Sequence, residues 1–122
     1  MTNENILVVD DNPAIRTFLN VVLKANGYQV VEAATAAEGL KSFRSKHPDL
    51  VILDLGLPDQ DGLELLSELR AQKNPAQVII LTVRSEPEYR ESAIEKGAAA
   101  YITKPFRTNE LLKTTEQLLK AG

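Results

Sequence analysis

The sequence contains no cysteine, and that absence removes disulfides, thiol nucleophiles and thiolate metal sites together. A single histidine puts a multi-histidine metal site out of reach as well. No apolar run approaches the ~20 residues that a bilayer-spanning helix needs. The N-terminus, Met1-Thr2-Asn3-Glu4-Asn5, lacks the basic start of a signal peptide. A cytoplasmic protein without membrane association is therefore expected. A strong excess of either charge is also missing: the net charge is -3, which argues against nucleic-acid binding. What remains is 122 residues, 43% hydrophobic and 25% charged, an ordinary composition for a globular chain. A chain of this size buries roughly two-thirds of its unfolded surface, enough for one core, so one domain over residues 1–122 is expected.

The hydrophobic residues come in short blocks. Leu50-Val51-Ile52-Leu53 reads as a strand buried on both faces, and it ends abruptly in Asp54. Gly, Pro and Asp mark the following Leu55-Gly56-Leu57-Pro58-Asp59 as a loop. A charge at the tip of a buried strand costs stability unless it is used or paired. Asp54 is then either a reactive or metal-binding carboxylate, or merely a helix cap or turn-former. Ile6-Leu7-Val8-Val9 repeats the pattern and ends in Asp10-Asp11. Tyr28 to Ala33 forms a second strand in chain order, Val78 to Thr82 a fourth and Ala99 to Thr103 a fifth, with Lys104-Pro105 turning the chain away.

Between these blocks the apolar spacing is helical. Asn12-Pro13 opens a first helix carrying Ile15, Leu19, Val22 and Leu23, and Asn26-Gly27 stops it. Thr35-Ala36-Ala37-Glu38 has capping-box spacing for a second, and Ser85-Glu86-Pro87-Glu88 offers the same for a fourth that stops at Gly97. A third follows Gly62 with Leu63, Leu66 and Leu69, and a fifth begins near Thr108 with a leucine face assigned to the core. Five strands alternating with five helices give an α/β fold, a doubly wound parallel sheet covered on both faces. The order 2-1-3-4-5 suits five units, and such sheets bind ligands at the carboxyl ends of their strands. Asp10, Asp11, Asp54, Thr82 and Lys104 all fall on that edge.

Carboxylates a few ångströms apart repel one another, by about 1 kcal/mol per pair in water and nearer ~4 at a partly buried site. A divalent ion together with the Lys104 ammonium would balance Asp10, Asp11 and Asp54. Hard oxygen ligands favour Mg²⁺, which accepts carboxylates, waters and a phosphoryl oxygen. An aspartate beside Mg²⁺ is also the apparatus for an aspartyl-phosphate.

Four segments carry a resemblance that covers essentially the whole chain: Val8-Val9-Asp10-Asp11-Asn12; Asp54 through Gly62; Thr82; and Tyr101-Ile102-Thr103-Lys104-Pro105-Phe106. Together, in order, they resemble the CheY-like receiver domain of two-component response regulators. The resemblance implies a signalling switch, not an enzyme beyond its own phosphotransfer and slow autodephosphorylation. Asp54 would be the phosphoacceptor, charged by a sensor histidine kinase or phosphotransfer protein. Asp11 would ligate Mg²⁺ directly and Asp10 through water, with Asp54 and the Gly56 carbonyl completing the set. Lys104 would pair with Asp54 and then with the phosphoryl group, and the Lys104-Pro105 bond would be cis. Thr82 would swing its hydroxyl to the phosphoryl oxygen, and Tyr101 would rotate inward, reshaping the face of the fourth helix, fifth strand and fifth helix for a downstream target or output domain. Read alone, Thr82 is a β-branched strand residue and Tyr101 a half-buried aromatic.

Val83 stands where this family keeps a small residue and would crowd the phosphoryl group, while Arg84 occupies a position that influences phosphoryl lifetime. Ala99 and Ala100 replace the acidic pair with which winged-helix members form an ion-paired dimer, so a monomer or a weak phosphorylation-dependent dimer is expected. The chain ends just after the last helix, so no output domain is expected in it, whether it is stand-alone or excised. Asp59 and Asp61 read as turn-formers and His47 as a surface residue. A Mg²⁺-dependent phosphatase with an aspartate nucleophile needs two acids two residues apart after the first strand, which Asp10-Asp11-Asn12-Pro13 does not supply. A flavodoxin-like FMN carrier needs a phosphate loop where two aspartates stand. A degenerate receiver acting only as a binding module conflicts with the intact key positions.

Overall fold

The computed structural model describes residues 4–121. The apolar blocks form β1 (Asn5–Val9), β2 (Gln29–Ala33), β3 (Leu50–Leu53), β4 (Gln77–Thr82) and β5 (Ala100–Thr103). They alternate with α1 (Pro13–Ala25), α2 (Ala36–Lys46), α3 (Gly62–Arg70), α4 (Pro87–Glu95) and α5 (Thr108–Ala121). All strand pairings are parallel and the sheet order is β2-β1-β3-β4-β5, the doubly wound arrangement that the alternation predicts. Among the described residues no helix is long and apolar enough to cross a membrane.

Alternation along each strand divides the core in two. Ile6, Val8, Leu50, Ile52, Ile79, Leu81 and Ile102 pack with Leu19 and Leu23 of α1 and Leu111 of α5. Leu7, Val9, Val51, Leu53, Val78, Ile80 and Tyr101 pack with Phe43 of α2, Leu65, Leu66 and Leu69 of α3, and Ala93 of α4. Each fully buried aliphatic side chain stabilises by about 1.5–3 kcal/mol, so both faces of the central strands contribute. The last helix does present its leucines to the core: Leu111 is buried, and Leu112, Leu118 and Leu119 pack against it.

The helix starts are set by short polar side chains. Asn12 caps α1, its Oδ1 accepting from the Ala14 and Ile15 amides at 2.9 and 3.4 Å. Thr35 caps α2 through Oγ1 to the Glu38 amide at 3.1 Å, and Glu38 reaches back to the Ala34 amide at 2.9 Å. The expected capping box of α4 does not form. Glu86, not Ser85, is the cap residue, and it makes no side-chain cap bond. Pro87 at the first helical position forces Glu86 into extended backbone, which moves the helix start one residue on.

Gly62 opens α3 in contact with the end of β3. A Cβ there would lie 2.5 Å from Leu55 Cα and 2.6 Å from the Asp54 carbonyl oxygen, both backbone atoms that cannot turn aside. The site loop depends on that approach. Gly62→Ala is expected to lower the urea midpoint by the equivalent of at least ~1–3 kcal/mol, the usual cost of overpacking. Gly56→Ala, where a Cβ meets nothing within 4 Å, is the control and should unfold close to the parent.

Candidate functional site

Adjacency of β1 and β3 builds the site. Val9 and Leu53 are register partners, so Asp10 and Asp54, one residue further on, leave the sheet side by side. The Asp54 amide donates to the Val9 carbonyl at 2.9 Å and the Asp10 amide to the Ala33 carbonyl at 3.0 Å, which fixes both main chains. Asp10 is 3% exposed and Asp54 8% exposed, whereas Asp11 is open to solvent. Carboxylate oxygens of Asp10, Asp11 and Asp54 lie within 4.8 Å of one another, a spacing that could hold a metal ion.

Lys104 comes to this cluster from the far edge of the sheet. Its amide donates to the Thr82 carbonyl at 2.8 Å, one residue past β5, and the Lys104-Pro105 peptide is cis. The ammonium is 2.7 Å from Asp10 Oδ2 and 3.3 Å from Asp54 Oδ2. It therefore bridges both carboxylates, with the shorter contact to Asp10 and not to the Asp54 expected from sequence. Asp54 Oδ1 accepts the Gly56 amide at 3.2 Å, and Asp10 Oδ1 accepts the Asn12 amide at 2.9 Å.

Burial pushes the Asp10 carboxyl above its ordinary value, and the nearby Asp54 charge adds to this; Lys104 and the Asn12 amide offset it only in part. For Lys104 burial works the other way, but the Asp10 hydrogen bond and the two carboxylate charges outweigh it and raise its pKa, so the ammonium stays charged. The cluster is thus short of positive charge in its most buried part.

Thr82 is fully buried at the end of β4, its Oγ1 accepting the Arg84 amide at 3.3 Å. The Tyr101 ring lies inward, packed in the core, and its hydroxyl donates to the Arg84 carbonyl at 2.6 Å. Arg84 also pairs with Asp61 Oδ2 at 3.1 Å. Val83 points to solvent, 70% exposed. Ala99 is exposed and Ala100 half-buried. His47, an exposed left-handed residue ending α2, lies in the turn that leads into the opposite end of β3.

Two roles were not legible from the chain. Asp59, read as a turn-former, accepts the Ala36 and Ala37 amides at 2.8 and 3.0 Å and so caps α2 from across the loop. Those bonds hold its carboxyl below the ordinary carboxylate range. Asp61, also read as a turn-former, caps α3 through the Leu63 amide at 2.9 Å besides pairing with Arg84. The Asp59 bonds span 22 and 23 residues, and no local spacing signals them.

Residues 6–116 match the family model of the response regulator receiver domain. The chain is 46% identical over 107 residues to the KDP operon transcriptional regulatory protein KdpE of Escherichia coli, covering 88% of this chain and 47% of that protein. It thus spans about half the length of that curated relative. It is 36% identical over 119 residues to sporulation initiation phosphotransferase F of Bacillus subtilis, covering 98% of this chain and 96% of that one. The crystal structure of a CheY-like receiver domain protein from Methanospirillum hungatei superposes with a TM-score of 0.94 at 33% identity, covering 98% and 96% of the two chains. Matched from the first strand to the last helix in sequence and in fold, this chain belongs to the receiver domains of two-component response regulators.

Proposed function

We propose that this domain is a phosphorylation-operated switch whose phosphoacceptor is Asp54. The observation that carries the reading is the position of its carboxylate, between the Asp10–Asp11 acids and the Lys104 ammonium at the sheet's carboxyl edge. A carboxylate oxygen of Asp54 attacks the phosphorus of a phosphohistidine on a sensor histidine kinase or phosphotransfer protein. The new P–O bond forms as the P–N bond breaks, and neutral imidazole leaves after taking up a proton. The name of the phosphotransferase relative fits a role in such a relay.

Asp10, Asp11, Asp54 and the Gly56 carbonyl would hold Mg²⁺, and the donor set fits, being all oxygen and short of positive charge. The ion would supply charge neutralisation for the incoming phosphoryl oxygens. Lys104 is placed to transfer part of its hydrogen bonding from Asp54 to a phosphoryl oxygen. Thr82 Oγ1 accepts the Arg84 amide, and a hydroxyl that accepts keeps a proton of its own to donate to a phosphoryl oxygen. That movement would weaken the Arg84 amide bond, and the Tyr101 hydroxyl hangs on the same residue. The change would pass to the face formed by α4, β5 and α5, where a groove lined by Arg90, Tyr101, Phe106, Arg107 and Lys113 receives a target or an output domain. Cytoplasmic action, as a monomer or a weak phosphorylation-dependent dimer, completes the reading.

Incubation with acetyl phosphate and Mg²⁺ should add one phosphoryl group by intact mass. The adduct should be absent without Mg²⁺ and absent from Asp54→Asn; label retained by that variant would move the acceptor elsewhere. Mg²⁺ at a hundred times its Kd should stabilise the parent by about 2.7 kcal/mol, and Asp11→Ala should lose most of that gain.

The raised Asp10 pKa fixes a sign. The fold favours its neutral form, so metal-free stability declines as pH rises from the ordinary carboxylate value through the raised one. Asp10→Asn should remove that decline and melt higher than the parent at neutral pH without metal. A lower melting temperature would show that the Lys104 pairing outweighs the burial of the charge.

A further inference from the structure

Both peptide groups of Asp10 lead to the end of β2, the edge strand that contributes no carboxylate to the Asp10–Asp11–Asp54 cluster. The Asp10 amide donates to the Ala33 carbonyl at 3.0 Å. The Asp10 carbonyl accepts Arg16 Nη1 at 2.7 Å, and Arg16 Nε meets Oε1 of Glu32, the residue before Ala33, at 3.3 Å. Asn20 Nδ2 donates to the other Glu32 oxygen at 2.7 Å. Arg16 and Asn20 stand one turn apart on α1, so both reach that carboxylate from one helix face.

The carbonyl that Arg16 holds belongs to the peptide joining Asp10 to Asp11. That unit is planar, so a donor on its oxygen fixes the direction in which the chain enters Asp11. The Asp10 side chain is separately held by Lys104 and the Asn12 amide. Asp11 is exposed, and among the described residues nothing bonds its carboxylate, so its reach to a metal is set by the main chain. An ion pair with side chains 19% and 35% exposed adds little stability, and its value here is direction. Glu32 balances the guanidinium, so what arrives at Asp10 is an aimed donor with little net charge. The planar fork turns Nε and Nη1 to two partners at once, which a lysine ammonium reproduces poorly.

We infer that Arg16 is a positioning residue for the metal site: held by Glu32, it fixes the Asp10–Asp11 peptide and so presents the Asp11 carboxylate to Mg²⁺. The inference rests on the reading that Asp10, Asp11 and Asp54 hold that ion. It makes β2 and the middle of α1 part of the support of a site formed at the ends of β1 and β3.

The test follows the backbone amide resonances of the whole 122-residue chain in Arg16→Lys, Arg16→Gln, Glu32→Gln and the Arg16→Lys/Glu32→Gln double variant, first without metal and then titrated with Mg²⁺. Arg16→Gln leaves Glu32 unbalanced, which by charge alone tightens Mg²⁺ binding, whereas a lost support weakens it. Arg16→Lys keeps the charge and loses the fork. Both variants should bind Mg²⁺ roughly tenfold more weakly than the parent, the low end of the loss when a supporting contact is removed from a metal site. The double variant should bind no more weakly than Arg16→Lys, because Glu32 acts through Arg16. Without metal, the order parameter of the Asp11 amide should fall in every variant from the ~0.85 of rigid backbone, while those of β3 and β4 hold. Glu32 is exposed on an edge strand, so Glu32→Gln keeps the fold and gives this readout even where an Arg16 variant unfolds. Unchanged or tighter Mg²⁺ binding in Arg16→Gln, parent-like binding in Arg16→Lys, a further loss in the double variant, or an unaltered Asp11 order parameter would each overturn the inference. A parent whose resonances ignore Mg²⁺, while the Asp11 order parameter falls in the variants, would uphold the pinned peptide and overturn the metal reading.

Discussion

Much at the carboxyl edge of this sheet depends on one ammonium group lying between two buried carboxylates. Lys104 reaches Asp10 across 94 positions of sequence and Asp54 across 50, and it does so from the end of β5, which lies on the β4 side of β3. Three acids this close repel one another, and one cation does not satisfy them. Burial makes the shortage worse, as the raised pKa of Asp10 shows. The core on either side of β1 and β3 carries that electrostatic cost. A site built in this way is predisposed to take up positive charge, and with it an anionic group.

The same residue type does opposite work a few positions apart. Asp10 and Asp54 face a nearly closed edge with few donors, whereas Asp59 and Asp61 face the open amide ends of α2 and α3. Helix N-termini present unpaired N–H groups, so they hold Asp59 in its charged form, while burial opposes the charge on Asp10. Helix capping thus occupies the loop acids, while the edge acids share the Lys104 ammonium. It also fixes the β3–α3 loop to two helices at once, so Asp54 is presented from a rigid support.

The helices are anchored unequally. α3 buries Gly62, Leu65, Leu66 and Leu69, whereas α4 buries Ala93 alone and starts without a side-chain cap. An element with so few buried contacts lies at the low end of local stability, where moving parts are drawn from. α4 follows directly on the segment in which Arg84 links Thr82 to Tyr101, so a change at the sheet edge meets the least anchored part of the fold. Tyr101 already lies inward, bonded to the Arg84 carbonyl. Its hydroxyl and the Thr82 hydroxyl thus contact the main chain of one residue.

Hydrophobic periodicity and punctuation by Gly, Pro, Asn and Asp by themselves determined the five strands, the five helices and their alternation, because burial and backbone sterics act over a few residues. The parallel sheet followed from that alternation, and the order 2-1-3-4-5, which suits five such units, brings Asp10, Asp11, Asp54, Thr82 and Lys104 to one edge. Where a local rule competed with another, as Ser85 did with Pro87, the stiffer constraint of the proline ring prevailed. Tertiary structure alone decided the preference of Lys104 for Asp10, the capping of α2 by Asp59, and the meeting of Asp61, Tyr89, Thr82 and Tyr101 on Arg84. These are hydrogen bonds, ion pairs and one cation–π contact, short-ranged and directional, most of them between residues far apart in the chain. Their energies depend on tenths of an ångström, and no spacing in the sequence encodes such a distance.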